Sequence, residues 1–449
     1  MRFLGALALA CCAAGGLGMP RGVRAHARPP ALRQLLVDPS NPDRLVAQAT
    51  WGLATSEDGG ATWRWTCAAA YDVDPTGADP RVALIDGSIH VASFGGVRTS
   101  AAGCDWTPTV ETQLAPDVVP LPDNGDALVL TSETAADGLA RWSATGGVTP
   151  LFEAPGDLRL DRVVFAAGDP SRLYIGARVP LGPMRERALV MLASVDGGRS
   201  FEEAVVPRVG EEYRLLADAV DPDDPERVYA HALNFDGEMA PERVLRSADG
   251  GRTFEEVLGV PQVGALLALP GGVVWVGSRL GGLWRSEDRG ERFTRVADVS
   301  VHCLTATAEE LFVCTDQARD GFALGRRVEG AVTPLLELSA IRELAACPTC
   351  SQTGVICPGW FPDVVQDLEI PPEEVGLTEA DLPGDAGTGA PREVVLPFEC
   401  GGPGPPPSEG GCAAGGGPVP YALVVGLLVV GRVRRRAMRE RNSVAPRPS

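Results

Sequence analysis

Lysine is absent from this chain: all 40 of its basic residues are arginine. Without an ε-amino group, no Schiff-base or lysine-nucleophile mechanism is open to it. Histidine is nearly as scarce, with four in 449 residues. His26 falls in a leader-like segment, and His90, His231 and His302 stand far apart, without the spacing of a metal-ligand set or of a base beside a nucleophile. Each is expected to be a strand residue, and no cofactor or metal is expected. Positive charge is also in deficit. The formal net charge is −19, which disfavours nucleic acid as a partner and favours basic ones. Aromatics are only 6% of the chain while glycine reaches 54 residues, a composition that fits short strands joined by tight turns.

One phrase recurs. Ser56-Glu-Asp58-Gly-Gly60-Ala-Thr62-Trp63 returns around Ser194, Asp196, Gly198 and Phe201, again around Ser247, Asp249, Gly251 and Phe254, and more loosely around Ser286, Asp288, Gly290 and Phe293. Weaker copies begin at Thr99, Ser143 and Arg327, so the starts fall at 56, 99, 143, 194, 247, 286 and 327. A period of about 40–50 residues is that of one propeller blade. The phrase suits a hairpin turn: paired glycines supply positive φ, Ser and Asp oxygens bond turn N–H groups, and the aromatic returns to the sheet. These aspartates are therefore read as turn-stabilising, not catalytic.

The phrase resembles the Asp-box (BNR) repeat of sialidases, sortilin-type receptors and photosystem assembly factors. The resemblance implies a seven-bladed β-propeller of four-stranded antiparallel blades over residues 28–340. Two strand-like runs precede each box, for example Val273–Gly277 and Gly282–Ser286, and an earlier apolar run such as Gly264–Leu269 precedes these. Between first and second strands recur Asp-Pro turns at Asp38, Asp169 and Asp221. The cluster Asp221, Asp223, Asp224 lacks the spacing of an EF-type calcium loop and reads as a solvated turn.

The ends carry addresses. Residues 1–27 read as a secretory signal, with Arg2, an apolar run and Ala25-His26-Ala27 as a cleavage site; Cys11 and Cys12 offer a weaker lipoprotein alternative. Residues 411–449 combine Gly410-Gly411-Cys412, a short apolar span and an arginine-rich tail. This resembles the myxobacterial C-terminal sorting signal (MYXO-CTERM), which implies that Cys412 is the processing and lipid-attachment point. A plain single-span membrane helix gives the same topology, with the basic side cytoplasmic and the propeller outside. Residues 1–27 hold three arginines and no acids, and residues 432–449 hold seven arginines and one glutamate, so the rest of the chain carries −28.

Setting aside Cys11, Cys12 and Cys412 leaves eight cysteines: Cys67, Cys104, Cys303, Cys314, Cys347, Cys350, Cys357 and Cys400. Export favours disulfides among them over a zinc or redox role for Cys347-Pro-Thr-Cys350. Cys303 and Cys314 belong on adjacent strands of the last blade, Cys67 and Cys104 near the outer edges of the first two, and 105 pairings of eight are possible. Residues 341–410 are read as a Cys-containing segment and linker, with a Pro/Gly/acidic stalk from Pro358.

Two functions fit. The first is a surface-anchored module, expected to be a monomeric propeller, that binds or scaffolds an extracellular protein or glycan. Its contact candidates are the long loops at 178–187 and 234–242: Arg185, Arg187, Phe235, Asp236, Glu238 and Met239. The second is an exported glycoside hydrolase of the sialidase or xyloglucanase kind. No Arg-Ile-Pro phrase or Tyr/Glu nucleophile arrangement beside an arginine triad is visible, and the Glu211-Glu212-Tyr213 run reads as the start of a strand.

Overall fold

The structure, a computed structural model, describes residues 29–73, 79–122, 125–179 and 188–382. The leader, Arg185, Arg187, Cys400, Cys412 and the sorting segment lie outside the described residues. Among the described residues no helix is long and apolar enough to cross a membrane.

Seven antiparallel four-stranded meanders make seven blades: residues 32–67, 81–110, 114–153, 159–206, 212–261, 263–297 and 303–336. Within each, strands follow one another in chain order from the innermost outward. A single meander cannot cover both of its apolar faces. Its second strand, such as residues 228–232 within Asp224–Asn234, is buried because neighbouring blades flank it. The apolar clusters accordingly run between blades, as where Leu128 and Leu139 of blade 3 pack with Ile175 and Leu192 of blade 4.

Innermost strands of adjacent blades are not paired in a ladder, so side chains bond their backbone groups. Gln34 takes the N–H of Val82 at 3.0 Å and donates to its carbonyl at 2.7 Å. Asp117 accepts from the Val163 N–H at 3.1 Å, and Thr305 Oγ1 donates to the Leu35 carbonyl at 2.6 Å across the seam between blades 7 and 1.

Among the described residues every blade is one contiguous stretch of chain, and no strand is shared between the first and last blades to lock the ring. A C-terminal clasp sits at blades 1 and 2 instead. Glu343–Leu344 adds a parallel fifth strand to the outer edge of blade 1, covering unpaired edge groups. The helix Gln352–Asp367 follows, capped by Ser351, whose Oγ accepts from the Gly354 N–H at 3.1 Å. Phe361 stacks on Trp65 at 5.9 Å, and Val364, Val365, Leu368 and Ile370 are buried with blade 1 and blade 7 residues in one cluster. The stalk expected from Pro358 therefore does not begin there: the chain is folded against the propeller through residue 382. Apolar residues at 361, 364, 365 and 368 give the helix a face to bury, which outweighs Pro358 and Pro362.

Three disulfides are fully described: Cys303–Cys314 between the first two strands of blade 7, Cys67–Cys357 and Cys104–Cys347. The last two fasten the clasp to blades 1 and 2. Cys350 is also disulfide-bonded, so the Cys347-Pro-Thr-Cys350 pair is divided between bridges.

Candidate functional site

At the four full boxes the Ser and Asp side chains bond only their own turn. Ser Oγ donates to Asp Oδ1 at 2.7–2.8 Å and accepts from the N–H of the glycine four residues on, Gly60, Gly198, Gly251 or Gly290, at 2.9 Å. The same carboxylates accept from the N–H four residues on: Thr62, Ser200, Thr253 and Arg292. Gly250 and Gly251 have φ of 73° and 83°, which a side chain would oppose. Thr62's hydroxyl and N–H hold the Asp58 pKa down at about 2, and the Arg292 N–H does the same at Asp288. At Asp249 burial opposes the shift, yet the Thr253 hydrogen bonds bring its pKa to about 2 as well. Asp196 is lowered chiefly by the Ser200 hydroxyl. Carboxylates held ionised by their own turns make poor proton donors. The acid cluster at 221–224 is likewise engaged, Asp221 accepting from the Asp223 N–H at 2.9 Å and Asp223 from the Gly271 N–H at 2.7 Å.

Blade 2's weaker box is held differently. Its turn is bonded by the clasp: Gln352 Oε1 accepts from the Trp106 N–H at 2.5 Å, the Gln352 N–H donates to Asp105 at 3.0 Å, and Thr353 Oγ1 donates to the Gly103 carbonyl at 2.7 Å. Partners from elsewhere replace the box's own Ser and Asp.

The ring leaves an axial mouth of about 610 Å³ at the end opposite the box turns. Six of the seven innermost strands, and His302 just ahead of the seventh, line it. Where these strands begin, blades 1, 4, 5 and 6 each carry a register shift, at 32–34, 160–162, 212–214 and 263–265. Such bulges re-aim side chains, and here they accompany Arg33, Asp161, Arg162, Arg214 and Gly264 in the lining. The lining holds five guanidinium groups, those of Arg33, Arg81, Arg162, Arg214 and Arg279, against the carboxylates of Asp72, Asp79 and Asp161. Just behind the lining, Asp218 bonds Arg162 and Asp117 lies 3.9 Å from Arg81.

Most of these cations are fixed. Arg33 donates to His302 Nδ1 at 2.7 Å and lies 3.5 Å from Asp79. Burial, with Arg33 and Arg279 nearby, lowers the His302 pKa to about 4, so the neutral ring is free to accept. Arg162 bonds Asp218, which in turn bonds His231 Nδ1 at 2.6 Å. Burial pulls the His231 pKa down, but Asp218 outweighs it and the net shift is upward. Arg214 meets Asp161 at 2.8 Å, and Arg178 bonds the same carboxylate. Burial raises the Asp161 pKa despite both guanidiniums. Arg279 differs: among the described residues its guanidinium has no hydrogen bond or ion pair, and its Nε is buried without a partner.

The loop at 235–240 lies at the same end of blade 5 as the mouth. Phe235 is 65% exposed and stacks on Tyr213 with centroids 3.8 Å apart and planes at 10°. Met239 is 71% exposed, and Phe94, in the lining of the mouth itself, is 67% exposed. Glu238 is exposed. Asp236 accepts from the Glu211 N–H at 3.2 Å and so fastens its loop. Sequence reasoning missed the axial arginines; the signal available was an arginine near the start of the first strand in four blades, at 33, 81, 162 and 214.

No protein-family profile matches the chain, and no curated protein matches it. Solved structures do. An ancestral GH74 enzyme superposes with a TM-score of 0.50 at 13% identity, covering 72% of this chain and 50% of that one. YCF48 from Cyanidioschyzon merolae gives 0.42 at 12% identity, over 66% of this chain and 94% of that one. A PL25 ulvan lyase gives 0.44 at 12%, over 68% and 96%. The chain thus spans half the length of the GH74 enzyme it matches. At these identities the likeness is one of fold, a β-propeller.

Proposed function

We propose that this chain is an exported, surface-anchored Asp-box propeller that binds or scaffolds an extracellular glycan or protein, with the axial mouth as its seat for an anionic group. The signal at 1–27 and the sorting segment at 411–449, with Cys412 as its processing or lipid-attachment point, support export and anchoring. The observation that carries the binding reading is Arg279: a cation in the lining of a 610 Å³ mouth whose guanidinium has no hydrogen bond or ion pair among the described residues. A ligand carboxylate or sulfate would supply the missing acceptor. Phe94 and the Phe235–Tyr213 stack offer apolar faces at the same end, and Arg185 and Arg187 of the neighbouring loop extend the candidate contact set.

Titration of the purified exported protein with uronate oligosaccharides and acidic peptides tests this. Binding that weakens with salt and falls about tenfold or more in Arg279→Ala supports it. Binding untouched by that substitution overturns the seat.

A glycoside hydrolase is the second reading, supported by the fold likeness to a GH74 enzyme and by Asp79 and Asp161 in the mouth. Hydrolysis needs a pair of carboxyl groups flanking the scissile bond. Asp161 is instead engaged with two guanidiniums, which favours binding. Turnover of an aryl-glycoside and polysaccharide panel would reverse the preference.

A further inference from the structure

Away from the axial mouth, the crevice between blades 6 and 7 departs from the crevice one blade earlier. Between blades 5 and 6, Arg246 stands beside Tyr229 in the blade 5 sheet. Two carboxylates neutralise it: Glu255 of its own blade at 2.5 Å and Glu291 of blade 6's box at 2.9 Å. That box also covers the tyrosine, since a Cβ on Gly290 would lie 3.2 Å from the Tyr229 ring, and Tyr229 and Arg246 both donate to the Arg289 carbonyl.

In blade 6 the corresponding pair is Trp275 and Arg285. The position of Glu255, paired across the sheet with Arg246, is held here by Thr294, paired with Arg285. The position of Glu291 falls on Val332, because blade 7's box is reduced to a two-residue turn at Glu329 and Gly330, with φ of 49° and 92°. Where the box serine would stand is Arg327. Both guanidiniums lie near the Trp275 ring, Arg285 at 5.3 Å and Arg327 at 5.1 Å from its centroid. Among the described residues Arg285 has one ion-pair partner, the exposed Glu287 at 2.6 Å. Among the described residues the Arg327 guanidinium has no hydrogen bond or ion pair, and the Nε atoms of both arginines are buried without partners. Burial, and then Arg285, lower the Arg327 pKa. Two like charges are held together over one indole, in the place where the preceding crevice holds two carboxylates around one arginine.

We propose that the crevice between blades 6 and 7 is a second anion site, in which Arg285 and Arg327 take a carboxylate from a bound ligand in the place that Glu291 fills one blade earlier. The guanidinium fork matches a carboxylate in two parallel hydrogen bonds. The buried indole beneath both cations gives the site an optical and magnetic reporter.

The test is a glutarate titration of the purified full chain, followed by the Trp275 indole N–H resonance, assigned by its loss in Trp275→Phe. A saturable shift in the wild type, weakened about tenfold or more in Arg327→Gln, is expected. Val332→Glu supplies an internal carboxylate and is expected to fold, show a displaced resonance without glutarate and respond no further. Arg279→Ala leaves this titration unchanged if the two sites are separate. A wild-type resonance that does not move, or one that moves equally in Arg327→Gln or Val332→Glu, overturns the proposal.

Discussion

Removing the Cys67–Cys357 bridge by a paired change to alanine measures how far the clasp holds the ring. The two clasp bridges join positions 290 and 243 residues apart, one nested inside the other. With Cys104–Cys347 intact, the circuit that Cys67–Cys357 closes is only about 47 residues, roughly 37 from Cys67 to Cys104 and 10 from Cys347 to Cys357. Chain entropy for a loop of that size gives about 4 kcal/mol. The same circuit applies to removal of Cys104–Cys347 alone. Once either is gone the survivor closes a loop of 243 residues or more, worth about 5.5 kcal/mol. Losing both is therefore expected to exceed the sum of the single losses by about 1.5 kcal/mol. Guanidinium denaturation under non-reducing conditions, read by the fluorescence of Trp65 and Trp106 in that region, gives all three values. A single-bridge loss below about 1 kcal/mol would show that apolar docking of the helix suffices to close the ring and would refute the loop argument; so would a double loss no greater than the sum.

Ser247→Ala removes a buried hydroxyl that accepts from Gly251 N–H and donates to Asp249; a loss of about 1–3 kcal/mol is expected in urea unfolding, and no loss would mean the box hydroxyls are dispensable. His90 and His302 both have pKa values lowered to about 4, chiefly by burial. Each contributes stability that is complete above the unfolded value of about 6.5 and is lost as pH falls towards 4, about 3 kcal/mol apiece at most. A urea midpoint that stays level from pH 6.5 to 4 would contradict this. His231 works in the other sense: its raised pKa contributes below 6.5 and fades as pH rises through the folded value. Gly264→Ala would bring a Cβ to about 2.0 Å from the Val301 carbonyl oxygen in the lining of the mouth, so the variant is expected to melt lower than wild type; an unchanged melting temperature would show that the strand start can shift freely.

The blades were legible because their signal is local. Ser, Asp, two glycines and an aromatic lie within eight residues and bond one another, so spacing alone carries the geometry. The clasp was not legible. Its partners are separated by 243 and 290 residues, and Pro358 and Pro362 within its helix argued for an extended stalk until the apolar face at Phe361, Val364, Val365 and Leu368 found blade 1. The axial mouth was hidden for a related reason. Arg33, Arg81, Arg162 and Arg214 belong to four blades and share no phrase; closure of the ring alone makes them neighbours. Blade 2's eroded box and blade 7's shortened one looked like noise in the repeat. In the structure one is rebonded by Gln352 and Thr353 and the other leaves Arg327 over Trp275.

Among the described residues the ring borrows no strand across its seam, and this bears on how repeats are gained or lost. In a propeller locked by a composite blade, inserting or deleting one repeat must preserve a partnership between the two chain ends. Here each wedge is one continuous run of chain, and the fastening element is bridged to the first two wedges. Duplication of an internal repeat would leave both anchor points of those bridges in place.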